Sequence, residues 1–294
     1  MATSTPASAT ERRRRGPLAA FWRRFSRNRA AAAGLAVIGG LVLVAALAGI
    51  LATSDPFKVS LQPFRPPSLA HPMGTDNLGR DIYSGVLHGA RVSLLVGFLA
   101  AVTATGIGIL VGALAGFYGG RVDAALMRLT ELFQILPRFF LALVIVAFFG
   151  QGIGKVILVI GLLSWPAAAR LIRAEFLSLR NREFVEAARA LGPSDLTIAV
   201  RHILPNAIPP AIVTGSLDVA QAILLEASLS FFGLGDPNLV SWGGMLNVAQ
   251  PFLRRAWWMS AFPGVAIFAT VIAFNLFGDG VNDALNPRLR SRTR

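Results

Sequence analysis

The chain has 294 residues, 54% hydrophobic and 15% charged, with a mean hydropathy of +0.60, which is too apolar for a soluble globular domain of this size. It contains no cysteine, which excludes disulfides, thiol catalysis and Cys-ligated metal sites. The net charge of +13 raises the question of nucleic acid, but the basic residues gather beside long apolar runs, where they serve as topological anchors that also meet anionic lipid, so no nucleic-acid partner is expected.

Residues 1–30 carry Ser, Thr, Ala and Pro, then Arg12–Arg15, then an amphipathic lead-in around Phe21, Trp22 and Phe25, and read as a disordered, basic cytoplasmic tail. A membrane span needs about 20 mainly apolar residues. Six stretches meet or approach that: Ala31–Ala52, Val92–Phe117, Leu132–Phe149, Ile153–Ala169, Ile208–Phe232 and Trp258–Phe277. The first, taken as residues 31–52, is a retained anchor rather than a signal peptide, because its apolar run exceeds the roughly 7–15 residues of a signal core.

Residues 53–91 form the sizeable segment on the outer side. Thr75 or Asp76 is placed to cap a short helix on which Leu78, Ile82, Tyr83 and Val86 share a face, so an interfacial helix is expected there. His71, Asp76, Asp81 and His88 fit no defined ligand spacing, and no metal site is expected. In the second span Gly108, Gly112 and Gly116 recur every four residues, which lets a neighbouring helix approach closely. Pro137, Pro166 and Pro263 predict kinked helices.

Residues 92–278 read as the core transmembrane domain, interrupted at 170–207 by a polar, arginine-rich loop. Within the loop a helix is predicted from about Glu175 to Leu191, ended by Gly192-Pro193. Ser194-Asp195 then caps a second helix to His202, and Pro205 starts the return to the membrane. Among ionisable residues inside spans, which are costly and therefore functional candidates, Asp218 lies near mid-bilayer, Glu226 nearer the outer end and Arg138 after Pro137. These three are the candidate substrate-pathway residues. For Asp218 the alternative is an interhelical hydrogen bond, for Glu226 packing, and for Arg138 snorkelling towards the inner leaflet or helix pairing. Residues 279–294, with Arg288, Arg290, Arg292 and Arg294, form a cytoplasmic tail.

With both termini inside, the basic residues outside are Lys58, Arg65, Arg80, Arg91, Lys155, Arg254 and Arg255, and apart from Arg138 the rest face the cytoplasm. Neither lysine sits in a Walker A pattern, so the chain lacks the loop that would hold ATP phosphates. No histidine cluster, carboxylate dyad or nucleophile motif marks it as an enzyme, and no catalytic residue is assigned.

Glu186-Ala187-Ala188, three residues, Gly192, and then Leu204-Pro205 closely resemble the EAA loop of ABC importer permeases. HPMGTDNLGRDIYSGVLHGARVSL before the second span, EASLSFFGLG at Glu226–Gly235, SWGGML at Ser241–Leu246 and NLFGDGVNDALNPRLR at Asn275–Arg290 resemble the dipeptide/oligopeptide class, whose relatives include nickel importers. The pattern departs at His202, where the family places an isoleucine that here comes one residue later, at Ile203.

The resemblance implies an all-α integral membrane protein of six transmembrane helices, a MetI-like permease fold with a cytoplasmic coupling helix, in the inner membrane of a prokaryote with both termini cytoplasmic. Glu186, Ala187, Ala188, Leu191, Gly192 and Pro205 would then form the ATPase-coupling site. The implied partners are a second homologous permease, two cytoplasmic ATP-binding subunits that use ATP and Mg, an extracytoplasmic substrate-binding protein, a di- or oligopeptide substrate and membrane lipid. Nickel, glutathione or another small solute is the alternative cargo of the same architecture. A self-sufficient secondary transporter is the competing class, and the inverted repeats expected of one are not visible in the sequence.

Overall fold

The computed structural model describes residues 17–285. Arg12–Arg15, Arg288–Arg294 and the end of the Asn275–Arg290 motif lie outside the described residues.

Eleven α-helices follow one another among the described residues, and no β-strand does. Helix α1 (Pro17–Phe25) precedes α2 (Arg29–Leu51), which Asn28 caps by accepting from the Ala31 amide. An extended outer segment leads to α3 (Ile82–Tyr118), then α4 (Gly120–Ile135), α5 (Arg138–Phe149) and α6 (Ile153–Leu179). The polar loop holds α7 (Glu183–Ala190) and α8 (Asp195–Ile198), and a π-turn at Ala199–Ile203 runs into α9 (Leu204–Phe231). Helices α10 (Trp242–Ala249) and α11 (Trp258–Leu285) complete the chain.

Five helical runs are long and apolar enough to cross a membrane: α2, α3, α6, the continuous stretch Asp195–Phe231, and α11. The predicted third span, Leu132–Phe149, is not a single helix. It is the bent pair α4 and α5, which meets the same test only when taken together and turns by 84° between Ile135 and Arg138. Pro137 explains the corner: it has no amide hydrogen for the helical ladder, and it holds Leu136 in the extended conformation, at φ −83° and ψ 134°.

The interfacial helix expected from Thr75 or Asp76 is also absent. The chain turns at Gly74 (φ +79°) and Gly79 (φ +72°), and at Gly79 a β-carbon would lie 2.3 Å from the Ser60 carbonyl oxygen. Asp76 accepts from the Leu78 and Arg80 amides within that turn, and Thr75 donates its hydroxyl to the Gln62 carbonyl at 2.7 Å. The helix begins one turn later, where the Asp81 carboxylate accepts from the Ser84 amide at 2.8 Å, so Ile82, Tyr83 and Val86 belong to the first turns of α3.

Helix α3 packs along α6. A β-carbon at Gly108, Gly112 or Gly116 would lie 2.4, 2.4 and 2.5 Å from Ala168 Cβ, Ala169 O and Phe176 Cβ respectively. The glycine stripe is therefore the seam where the two backbones touch, as its spacing predicts.

The connections sort into two ends. At one, Asn28 donates to Asp283 at 3.1 Å, the Phe25 ring meets Phe277 edge-on, and Arg180 donates to the Gly116 carbonyl at 3.3 Å. At the other, the Trp258 indole donates to the Thr75 carbonyl at 3.1 Å, Gln151 donates to the Gly233 carbonyl at 2.6 Å, and Asp236 accepts from the Ile153 amide at 3.1 Å.

Candidate functional site

The polar loop is built as a platform on the first of these ends. The expected helix Glu175–Leu191 is divided: Glu175–Leu179 is the end of α6, a turn closed by the Arg182 amide on the Leu179 carbonyl follows, and α7 starts at Glu183. The division lets α7 run in a new direction while one side stays anchored. Val185 and Ala188 are buried, and Val185 packs with Phe117, Ile172, Phe176, Ile198 and Ile203. Burial of that side is the main force holding α7, since an isolated eight-residue helix is unstable in water.

The other side of α7 has no cover. Glu186 and Ala187 are exposed, Leu191 is 87% exposed and Leu196 68% exposed, and Phe184 and Val200 project from the same loop. Gly192, at φ +80°, ends the helix in the left-handed region, as the Gly-Pro pair predicts. The Ser194 hydroxyl caps α8 by accepting from the Thr197 amide. The second loop helix does not stop at His202. It widens through the π-turn, in which the Leu204 amide bonds the Ala199 carbonyl, and Pro205 follows in the first turn of α9. The wider turn accommodates a proline that can neither donate nor fit against the preceding carbonyl in a regular helix.

Beside this platform Arg173 on α6 grips Asp123 on α4 with two bonds of 2.5 and 2.6 Å. Sequence reasoning treats Arg173 only as a topological anchor. Its pairing with Asp123 had one visible signal, an acid four residues after Gly119 in the connection between two apolar runs.

The intramembrane residues divide in two. Glu226 is buried and accepts from Ser230 Oγ at 2.7 Å and from Ser93 Oγ at 3.3 Å, so it joins α9 to α3 beside Ser241, the cap of α10. Asp218 has a buried carboxylate oxygen, Oδ2, with no hydrogen-bond partner among the described residues. Arg138 is exposed at the start of α5 and lines a cavity of about 290 Å³ with Phe139, Ser164, Gln221, Leu225 and Ser228. Arg138 is the first residue of α5, eleven residues before its last, Phe149.

On the outer side His71 and Asp81 meet at 3.1 Å, but His88 bonds the Ser84 carbonyl and Asp76 its own turn, so the four residues do not converge. Burial pushes the Asp81 carboxyl up, yet the Ser84 amide and hydroxyl, His71 and Thr53 together hold it below the ordinary value of 3.8.

Comparison with known proteins gives concordant results. Residues 108–291 match the family described as binding-protein-dependent transport system inner membrane component, and residues 16–72 match the N-terminal TM domain of oligopeptide transport permease C. A Brucella abortus biovar 1 protein, named as a peptide transport system permease, is 41% identical over 278 residues, which span 94% of each chain. The glutathione transport system permease protein GsiD of Pectobacterium atrosepticum is 42% identical over 282 residues, covering 94% of this chain and 93% of that one. Among solved structures, that of an amino acid ABC transporter with histidines superposes with a TM-score of 0.52 at 16% identity, covering 67% of this chain and 92% of that one, which speaks to the fold alone.

Proposed function

The chain belongs to the family of binding-protein-dependent transport system inner membrane components, a membrane-embedded permease of an ABC importer, and from that premise we propose that its cargo is a di- or oligopeptide and that α7 is the element through which ATP hydrolysis drives transport. The peptide reading is supported by the relatives' names and by the match to the oligopeptide permease N-terminal segment. Glutathione is the specific alternative, because a relative at 42% identity is named for it.

The coupling reading rests on one observation: α7 buries Val185 and Ala188 against the transmembrane bundle and presents Glu186, Ala187 and Leu191 outward. A helix seated so on one side and bare on the other transmits a push as a rigid body. In this reading two cytoplasmic ATP-binding subunits, which use ATP and Mg, grip that bare side. A second homologous permease completes the pathway, an extracytoplasmic binding protein delivers the substrate, and this chain hydrolyses nothing itself. Alternating access follows, with closure of the ATPases moving α7 and opening the pathway outward.

Glu186→Lys reverses a charge on the presented side without touching the buried one. The expected outcome is loss of ATPase co-purification with the permease pair and loss of uptake, with insertion unchanged. Wild-type co-purification together with wild-type coupling of hydrolysis to uptake would assign coupling to another element.

A further inference from the structure

We infer that the corner where α1 meets the start of α2 and the end of α11 is a binding site for an anionic phospholipid, with Arg23 and Arg27 taking the headgroup phosphate and Trp22 seated beside the glycerol. The inference is independent of the cargo and of the coupling role of α7, and needs only that α2 and α11 cross a membrane.

Depth is the first support. The apolar span α2 begins at Arg29 and α1 ends at Phe25, so a three-residue turn, closed by Asn28 as the cap of α2, ties α1 to the membrane boundary. Helix α11 fixes the same level from the other side. Phe25 is 2% exposed, meets Phe277 edge-on, and lies so near Gly280 that a β-carbon there would sit 3.0 Å from its ring. Phe277 is the last aromatic residue of the chain, and the exposed acids Asp279 and Asp283 follow it. The contact thus falls where hydrocarbon gives way to headgroups, which is the level at which α1 is held.

Charge is the second support. While Phe25 faces the bundle, Trp22 is 57% exposed, stacked on Phe25 at 5.8 Å, and Arg23, Arg24, Arg27 and Arg29 are all exposed. Arg24 reaches the Ala284 carbonyl at 3.5 Å, but the side chains of Arg23, Arg27 and Arg29 make no hydrogen bond or ion pair among the described residues. Asp283 accepts from Asn28 at 3.1 Å and neutralises none of them by contact. Guanidinium groups gathered at headgroup depth without internal partners favour an external anion, and the anion abundant at that depth is a lipid phosphate.

The third support is the pairing of residue types. A guanidinium fork matches two phosphate oxygens, whereas an indole beside it matches the zone between headgroup and acyl chain, with its ring among carbons and its N–H near the ester groups. A soluble phosphate would use the arginines and leave the indole bare, so the exposed Trp22 favours the lipid as the source of the anion.

The test exploits the absence of cysteine. Ser26, exposed between Arg23 and Arg27, is replaced in Ser26→Cys and carries a fluorophore in the assembled importer, with any partner thiols removed. The complex is placed in phosphatidylcholine vesicles at low salt, doped with spin-labelled phosphatidylglycerol or spin-labelled phosphatidylcholine, and quenching reports which lipid collects at the corner. Phosphatidylglycerol should quench at a several-fold lower mole fraction. Each basic residue at an anionic membrane surface contributes about fivefold, so Arg23→Gln/Arg27→Gln should cut this preference at least fivefold, and Arg23→Lys/Arg27→Lys should keep most of it. Trp22→Ala should weaken quenching by both lipids and leave their ratio as in the parent. Inorganic phosphate at constant ionic strength should leave the ratio unchanged; its collapse would reassign the corner to a soluble anion and overturn the lipid site. A parental ratio in Arg23→Gln/Arg27→Gln would overturn it as well.

Discussion

At the scale of single residues, Gly192 carries the sharpest prediction. Its φ of +80° is the left-handed conformation, and a β-carbon added there would meet nothing within 4 Å. Gly192→Ala therefore introduces backbone strain alone, about 1 kcal/mol. That is too little to unfold the bundle, but the strain is relieved by tilting the end of α7. The expected outcome is a complex that inserts and binds its ATPases yet shows less uptake per ATP hydrolysed, measured in liposomes. Unchanged coupling would mean that the angle of α7 is immaterial. The conformation of Gly192 was legible in the sequence, because a Gly-Pro pair after a helical run permits few alternatives. Asp76 was not legible in the same way: a carboxylate that accepts from amides two and four residues ahead looks in sequence like a helix cap, and only Gly74 and Gly79, with positive φ, make it a turn.

At the scale of elements, hydropathy located the spans well and their interruptions poorly. The apolar run Leu132–Phe149 has the composition of one helix, and the corner at Leu136-Pro137 arises from backbone chemistry that hydropathy does not weigh. The same holds for Glu175–Leu191, whose good helix formers hide a turn at Arg180–Arg182 that only the packing of Val185 and Ala188 enforces. The glycine stripe of α3 was legible because period four has a direct packing meaning. It gives a prediction in which two glycine substitutions have opposite signs. Gly→Ala inside a helix is favourable by about 0.5–1 kcal/mol when nothing is displaced, and Gly106 has nothing within 4 Å of a new β-carbon. At Gly112 the same methyl would sit 2.4 Å from the Ala169 carbonyl oxygen and 2.9 Å from Ile172 Cβ, so α3 and α6 must part at a cost of about 1–3 kcal/mol. Thermal unfolding of the purified complex should therefore shift up or stay level for Gly106→Ala and shift down for Gly112→Ala. Equal shifts would mean that the seam is not packed as described.

For the whole molecule, the connections define two ends before any membrane is considered. Helix α1, the α4 side of Arg173 and the α7–α8 platform share one end with the C-terminus of α11, whereas the 53–81 segment, Gln151, Asp236 and α10 share the other. Alternation of the spans requires this sorting, and the distribution of charge predicts which end faces the cytoplasm. Arg23, Arg24, Arg27 and Arg29 precede the first span, and Arg170, Arg173, Arg180, Arg182, Arg189 and Arg201 border the platform. The opposite end has a sparser set, with Arg91 donating to the Ala45 and Ala46 carbonyls of α2. The positive-inside rule predicts that the platform faces the cytoplasm and that residues 53–81 lie outside. The absence of cysteine makes the orientation directly measurable, since a single introduced thiol reports on one position. Ser194 and Ser68 are both exposed, one at each end. With a membrane-impermeant thiol reagent on intact cells, Ser68→Cys should label and Ser194→Cys should label only after permeabilisation. The reverse pattern would invert the molecule and place α7 beyond the reach of any cytoplasmic ATPase, which no adjustment of the pathway residues could accommodate.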